Sequence, residues 1–170
     1  IQNDINRTKT NLSNVILYGN AIIDEDRVAL NDAQNELISH HPLLLEARLL
    51  YDGGYYNSAL SKLNEIISTN YFKSKINQIE YWYRLARVKS KLKNSNQLVL
   101  SYYKKVLEEG QVSSNYYAPM SALQIGLIYE LEKNYIKAKT YFKRCLSMSG
   151  FDYERGIHQK AKAGLLRISN

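Results

Sequence analysis

The chain has few of the residues that interrupt helices or build catalytic centres. Its 170 residues include only two prolines, eight glycines, three histidines and one cysteine. The single Cys145 excludes an intramolecular disulfide and any site built from several thiolates, so cysteine usage leaves the redox compartment open. No apolar run reaches the roughly 20 residues that a membrane span needs. This composition predicts about one domain of helices joined by short connections.

The three histidines do not form the pattern of a metal site. His40, His41 and His158 have no second histidine, cysteine or carboxylate at ligand spacing on the same helical face. His40 and His41 stand just before Pro42 and are predicted to form a polar linker after a helix. The single Cys145 lies at an apolar helical position and is predicted to be a small core residue.

Two other segments have simpler structural interpretations than chemical ones. Asp24-Glu25-Asp26 lacks the glycine and the distal glutamate of a calcium loop, and it suits the positive end of a helix. Gly53-Gly54 follows no strand and precedes no Lys-Ser/Thr pair, so it predicts a tight turn rather than a phosphate loop. The sequence therefore predicts a chain that is not an enzyme and that binds neither a metal nor a cofactor.

A two-helix pattern occurs three times, over residues 43–69, 76–109 and 115–148. The second copy needs one extra residue in its turn. A closing helix is predicted over 156–168, with an apolar stripe on one side and lysines on the other. The landmark residues lie 39 or 40 positions apart in both helices of the pattern: Ala47, Ala86 and Gly126 in the first helices, and Ala59, Val99 and Ala138 in the second.

Helical spacing also extends over 3–17 and 24–39. We therefore expect an N-terminal helical pair over 1–42, a degenerate hairpin, followed by one continuous domain over 43–170 that holds three hairpins and a capping helix. The total is about eight or nine helices. Because the chain begins with Ile1 rather than methionine, we expect further segments before it, and the compartment is not predicted.

The third copy resembles the tetratricopeptide repeat (TPR). Its Gly126-x-x-Tyr129 and Tyr135-x-x-Ala138-x-x-x-Phe142 match the small and aromatic positions of that repeat, and Trp82-x-x-Leu85-Ala86 with Tyr103 match them in the second copy. The resemblance implies a right-handed α-α superhelix over 43–168. The period of 39 to 40 exceeds the usual ~34, and the proline that closes a consensus repeat is absent.

A narrower resemblance points to the C-terminal part of a bacterial group of longer TPR proteins whose function is uncharacterised. It implies further helical repeats before Ile1 and indicates no substrate. Four segments carry it: residues 23–26, 47–56, 122–130 and 159–165.

The TPR resemblance implies a non-catalytic scaffold that binds a peptide or protein partner in a concave groove lined by the first helices. Tyrosine and arginine are frequent interface anchors because they bury a large area at little entropic cost. Leu44 and Arg48 stand where the family's carboxylate clamp has its first Lys and Asn, which disfavours a C-terminal acidic peptide. The predicted groove residues are Leu44, Arg48, Tyr51, Tyr83, Arg87, Ser90, Leu123, Leu127 and Glu130.

The formal charge of +7, from 23 basic and 16 acidic residues, supports an alternative function. A nucleic acid or an anionic surface could be bound by basic residues with tyrosines among them. These basic residues are scattered over several faces, and glutamates lie among them, so a solvated exterior is the simpler interpretation. Self-association through the N-terminal hairpin is a third possibility. The basic residues concerned are Arg84, Arg87, Lys89, Lys91, Lys93, Lys137, Lys139, Lys143 and Arg144.

Overall fold

Every secondary-structure element in the described part of the chain is an α-helix. The computed structural model describes residues 41–68, 72, 74–110 and 115–169, and these residues form seven helices without a strand. The prediction of an all-α fold is confirmed for them. The helices are α1 (Pro42–Asp52), α2 (Tyr56–Ser68), α3 (Lys75–Lys91), α4 (Asn96–Glu109), α5 (Tyr117–Leu131), α6 (Tyr135–Leu146) and α7 (Glu154–Arg167).

The described helices all belong to one compact unit, His40–Asn170. The helices predicted over 3–17 and 24–39, and the acidic helix start at 24–26, lie outside the described residues. The same holds for the N-terminal hairpin to which self-association was assigned.

Polar side chains fix where several helices begin. In three cases the side chain before the helix accepts a hydrogen bond from a backbone N–H group that has no partner within the helix. The three caps are Ser74 before α3, which accepts from Asn77 at 3.2 Å, Ser95 before α4, which accepts from Leu98 at 3.4 Å, and Asn134 before α6, which accepts from Lys137 at 3.3 Å.

His41 has the same role at the start of α1. Its Nδ1 accepts a hydrogen bond from the Leu43 N–H at 3.3 Å, and Pro42 occupies the first helical position, where its missing N–H costs nothing. The side chain of His41 is buried. His41 therefore lies outside the helix, where the linker prediction placed it, and its side chain caps α1; His40 lies outside the described residues.

The turns within the three hairpins α1–α2, α3–α4 and α5–α6 share one backbone geometry. Each first helix ends in a Schellman motif, in which two carbonyls of its last turn accept hydrogen bonds from the left-handed residue and its successor. The left-handed residues are Gly54, Lys93 and Lys133, with φ of 83°, 56° and 59°. The second turn comprises residues 92–95, whereas the others comprise 53–55 and 132–134. The predicted extra residue in the second turn is confirmed.

Helix packing follows a regular alternation. Each helix packs against the next one along the chain, and the odd-numbered helices also approach one another in the pairs α1–α3, α3–α5 and α5–α7. Among the described helices, no such approach occurs between α2 and α4 or between α4 and α6. The odd-numbered helices therefore form a contiguous row, and the even-numbered helices pack beside it.

The landmark positions of the repeat occupy the core. Cys145, Ile66 and Val106 take equivalent places in the second helices, and all three side chains are fully buried. Burial raises the pKa of the Cys145 thiol to about 12, so it is held as the neutral thiol at ordinary pH. The prediction that Cys145 is a core residue is confirmed. The six landmarks Ala47, Ala59, Ala86, Val99, Gly126 and Ala138 are likewise buried.

Phe142 shows why two of the small residues are small. Its ring lies between Gly126 of α5 and Gly164 of α7. A Cβ atom added at Gly126 would lie 2.6 Å from the ring, and one added at Gly164 would lie 2.5 Å from it. Real Cβ atoms do not approach a ring so closely. The two glycines thus let α5 and α7 close on one aromatic side chain of α6.

Candidate functional site

Four residues at the junction of α1 and α3 form an open, charged surface that we call the arginine ledge: Arg48, Tyr51, Asp52 and Arg87. Asp52 Oδ2 lies 3.8 Å from Arg48 Nε, and its Oδ1 lies 3.6 Å from Arg87 Nη2. The guanidinium carbon of Arg87 lies 4.0 Å from the centroid of the Tyr51 ring, a cation–π contact. Two cations share one carboxylate, so the ledge is net positive.

Local sequence explains how the ledge forms. Arg48 and Asp52 are four residues apart in the last turns of α1, which places them on one helical face. The Gly53-Gly54 turn ends the helix immediately afterwards and leaves Asp52 at its edge. Arg87 reaches the group from α3, which packs against α1. The side chains of Arg48 and Asp52 are 46% and 51% exposed, so a ligand can reach both.

An aromatic cluster underlies the ledge. Tyr83 is buried, with its ring centroid 6.3 Å from that of Tyr103, 5.8 Å from that of Tyr116 and 5.2 Å from that of Tyr117. The guanidinium of Arg87 also lies 5.8 Å from the Tyr83 ring. Burial raises the pKa of the Tyr83 hydroxyl, although Arg87 opposes this rise. Tyr83 is therefore a neutral floor beneath the exposed charges.

A second arginine of α3 is sealed within this aromatic region. Arg84 Nε and Nη2 donate to Oε1 of Glu80 at 2.9 and 2.7 Å, and the two side chains are only 3% and 4% exposed. Burial by itself lowers the pKa of Arg84, but the adjacent Glu80 carboxylate raises it, so the guanidinium stays charged. Burial and Glu80 both raise the pKa of Tyr117, which packs beside the pair. Glu80 and Arg84 form a structural ion pair.

Arg84 therefore does not belong to a surface for polyanions. The sequence interpretation grouped it with Arg87 and Lys91 on one basic face, yet its side chain is buried with Glu80, whereas Lys91 is exposed. The two arginines are three positions apart, about 60° around a helix, and that difference separates core from surface.

The nine predicted groove residues do not share one environment. Arg48, Tyr51 and Arg87 come together in the ledge, where Arg87 also lies 5.8 Å from the Tyr83 ring. Leu44, Leu123 and Tyr83 are buried, so their prediction as accessible groove residues was wrong, because packing between adjacent helices consumes that face. Ser90 is exposed and Leu127 is partly buried. Glu130 is occupied elsewhere, since it accepts hydrogen bonds from Arg167 Nε and Nη2 at 2.6 and 2.8 Å.

Sequence reasoning missed Asp52, the residue that links the two ledge arginines. Its spacing of four residues from Arg48 was a usable signal for an ion pair. The rings of Tyr116 and Tyr117 beside Tyr83 gave no such signal, because their positions depend on how α5 packs on α3.

The potential metal ligands among the described residues do not come together in a cluster. No group of three His, Cys, Asp or Glu side chains among them is arranged to hold a metal ion. His158 lies 3.0 Å from the carbonyl oxygen of Met148 and 3.7 Å from the Glu154 carboxylate, so it is held within its own helix–loop junction. These contacts fix local structure at the start of α7.

None of the described helices is both long and apolar enough to cross a membrane. Comparison with known proteins gives no identification: no protein-family model matches the chain, and neither the curated proteins nor the solved structures contain a significant match.

Proposed function

We propose that the described helices form part of a right-handed, TPR-like superhelix of about eight or nine helices that serves as a non-catalytic scaffold for a peptide or protein partner. Three features support this arrangement: the repeat of 39 or 40 residues, the shared hairpin turn, and the contiguous row of odd-numbered helices. When one helix of each hairpin contacts its counterpart and the other does not, a stack curves toward the contacting row.

The partner is proposed to bind across the arginine ledge. The observation that carries this proposal is the position of Arg87, which lies over the Tyr51 ring and within 3.6 Å of Asp52 while remaining partly exposed. Exposed ion pairs contribute little to stability, so an incoming carboxylate can replace Asp52 at small cost. An arginine backed by tyrosine rings is a common interface anchor. We therefore propose a partner segment with at least one acidic side chain.

A displayed peptide library selected on the immobilised chain tests this proposal. We expect the selected peptides to share an acidic residue and to bind the Arg48→Glu, Arg87→Glu double variant at least about tenfold more weakly, because each charge-assisted hydrogen bond is worth roughly 1.5–3 kcal/mol. The matched control is the Arg155→Glu, Lys162→Glu double variant, which makes the same change of charge on exposed residues of α7. Equal binding by the ledge variant, with its helical content retained, would show that the ledge is not the site.

Nucleic-acid binding is the second candidate, and capture from a bacterial lysate at two salt concentrations, with and without nuclease, separates it from the first. A peptide held by the ledge should survive nuclease treatment and lose less affinity in salt than a polyanion, whose binding falls steeply as counterions compete. Recovery of nucleic acid alone, lost as salt rises, would favour the second candidate. Burial of Arg84 removes one cation from the surface that this candidate needs.

A further inference from the structure

Large apolar side chains on both sides of the turn between α5 and α6 are highly exposed to solvent. Leu131 is 82% exposed and Ile136 is 84% exposed, and Tyr135 between them is half-exposed. We call Leu131, Lys133, Tyr135, Ile136 and Lys137 the third-hairpin tip. Its apolar side chains have no groove around them, because a residue exposed to this degree has few neighbours.

The fold does not require apolar residues at this tip. The hairpin turn has the same Schellman geometry in all three copies, and the corresponding positions are exposed in each. In the other two hairpins those positions hold polar residues: Asp52 and Lys91 correspond to Leu131, and Asn57 and Gln97 correspond to Ile136. The same backbone is therefore built twice with polar side chains, so the turn geometry does not depend on the aliphatic pair of the third hairpin.

The second helix of the third hairpin also differs in charge from the second helices of the other two. In the first hairpin Lys62 lies 3.4 Å from both Glu46 and Glu65. Helix α4 holds Lys104 and Lys105 together with Glu108 and Glu109. Helix α6 contains no acidic residue. Two carboxylates flank Leu131: Glu130 is paired with Arg167, and the exposed Glu132 accepts a hydrogen bond from the neutral Asn96 amide at 2.8 Å. The basic residues of α6 are Lys137, Lys139, Lys143 and Arg144, and Lys133 adds a further cation at the tip.

We propose that the third-hairpin tip docks onto an anionic lipid bilayer, with Leu131 and Ile136 entering the interfacial region and the lysines around them contacting lipid phosphates. A bilayer accepts protruding aliphatic side chains without any preformed pocket, and lysine side chains beside them add attraction to anionic headgroups. A nucleic acid would use the lysines but would gain nothing from two exposed aliphatic side chains. The occupant that matches both features is the anionic membrane surface.

The test is sedimentation of the chain with vesicles of equal parts phosphatidylcholine and phosphatidylglycerol, compared with vesicles of phosphatidylcholine alone. We expect binding to the anionic vesicles only. The Leu131→Lys, Ile136→Gln variant, which installs the residues of the second hairpin, should bind at least about tenfold more weakly, because it removes two aliphatic side chains from the interface. The Lys137→Gln, Lys139→Gln variant should bind roughly fivefold more weakly per charge at low salt.

The first variant adds a positive charge, and this separates insertion from simple attraction. If binding is only electrostatic, Leu131→Lys, Ile136→Gln binds anionic vesicles as tightly as the parent chain or more tightly, and the proposal is overturned. The proposal also fails if the parent chain does not bind anionic vesicles at low salt. It fails as well if a DNA duplex displaces the parent chain from the vesicles and the Leu131→Lys, Ile136→Gln variant binds that duplex more tightly than the parent chain does. The matched control, Leu49→Lys with Ile67→Gln, makes the same substitutions at exposed positions of α1 and α2 and should leave binding at the parent level.

Discussion

Arg84 and Arg87 lie one turn apart on α3, and their environments differ almost completely. Arg84 is sealed with Glu80 among tyrosine rings, with both side chains nearly inaccessible to water. Arg87 lies on the arginine ledge, where it shares the exposed Asp52 with Arg48 and covers the Tyr51 ring. Removing one partner of a buried pair leaves an uncompensated charge, whereas an exposed charge returns to water. Burial therefore makes Arg84 structural and leaves Arg87 available to a ligand.

The two arginine sites should differ most in stability when the buried Glu80–Arg84 pair loses one partner. Glu80→Gln should lower the free energy of unfolding by about 3–5 kcal/mol, because Arg84 then remains buried and charged without its carboxylate. Urea denaturation followed by circular dichroism measures this loss. Asp52→Asn is the matched change on the ledge and should cost less than about 1 kcal/mol. Equal losses in the two variants would contradict the distinction between a sealed and an open pair.

A second variant shows that the loss at Glu80 comes from the unpaired charge. Glu80→Met combined with Arg84→Met removes both charges and keeps an apolar side chain of similar length at each position. Because apolar replacement of a buried ion pair is often neutral, the double variant should recover most of the stability lost by Glu80→Gln alone. A double variant that is less stable than the single one would indicate that packing, rather than charge, dominates at this position.

The same contrast between sealed and open positions applies to the glycines. Gly164→Ala should cost about 1–3 kcal/mol, because the new Cβ meets the Phe142 ring at 2.5 Å. At Gly156, in the same helix, an added Cβ meets no atom within 4 Å. Gly156→Ala should therefore raise the free energy of unfolding by roughly 0.5–1 kcal/mol through helix propensity. Thermal unfolding of the two variants compares them directly. A stabilised Gly164→Ala variant would show that Phe142 has room to move.

At the exposed hairpin turns, backbone conformation rather than packing should determine how a substitution changes the free energy of unfolding. Lys133 adopts φ of 59°, a left-handed conformation that disfavours residues with a Cβ, whereas the first hairpin has Gly54 at the same place. Lys133→Gly should therefore raise the free energy of unfolding by roughly 0.5–1 kcal/mol. Lys137→Gly, within α6, should lower it by about 1 kcal/mol. Urea denaturation of both variants checks the sign, and a destabilised Lys133→Gly would refute the turn assignment.

The exposed ion pair between α5 and α7 should give the smallest effect. Hydrogen bonds from Arg167 lower the pKa of Glu130 below its ordinary value. A carboxylate with a lowered folded pKa stabilises the fold above its unfolded pKa, and this contribution disappears as the pH falls through the folded value. Arg167→Gln should cost less than about 1 kcal/mol at neutral pH and nothing in strong acid. Carbon NMR titration of the Glu130 carboxyl should show a higher pKa in the variant.

Much of the architecture could be predicted from the sequence because it depends on local patterns. The spacing of Ala47, Ala86 and Gly126 gave the hairpin period, and the extra residue of the second turn was visible in the same count. The ledge was predicted only in part. Arg48, Tyr51 and Arg87 were named, but three of the other predicted groove positions proved to be core. A helical period indicates which residues share a face without showing how much of that face the next helix covers.

The sequence by itself determined that the described chain is helical, where its hairpins turn and how often the pattern repeats, since capping, turn chemistry and apolar spacing act within a few residues. Only the tertiary structure decided that Arg84 is sealed while Arg87 is open, that Asp52 joins two arginines, and that Phe142 fills the space between two glycines. These outcomes depend on the approach of helices from different hairpins, whose side chains meet only after the stack has formed.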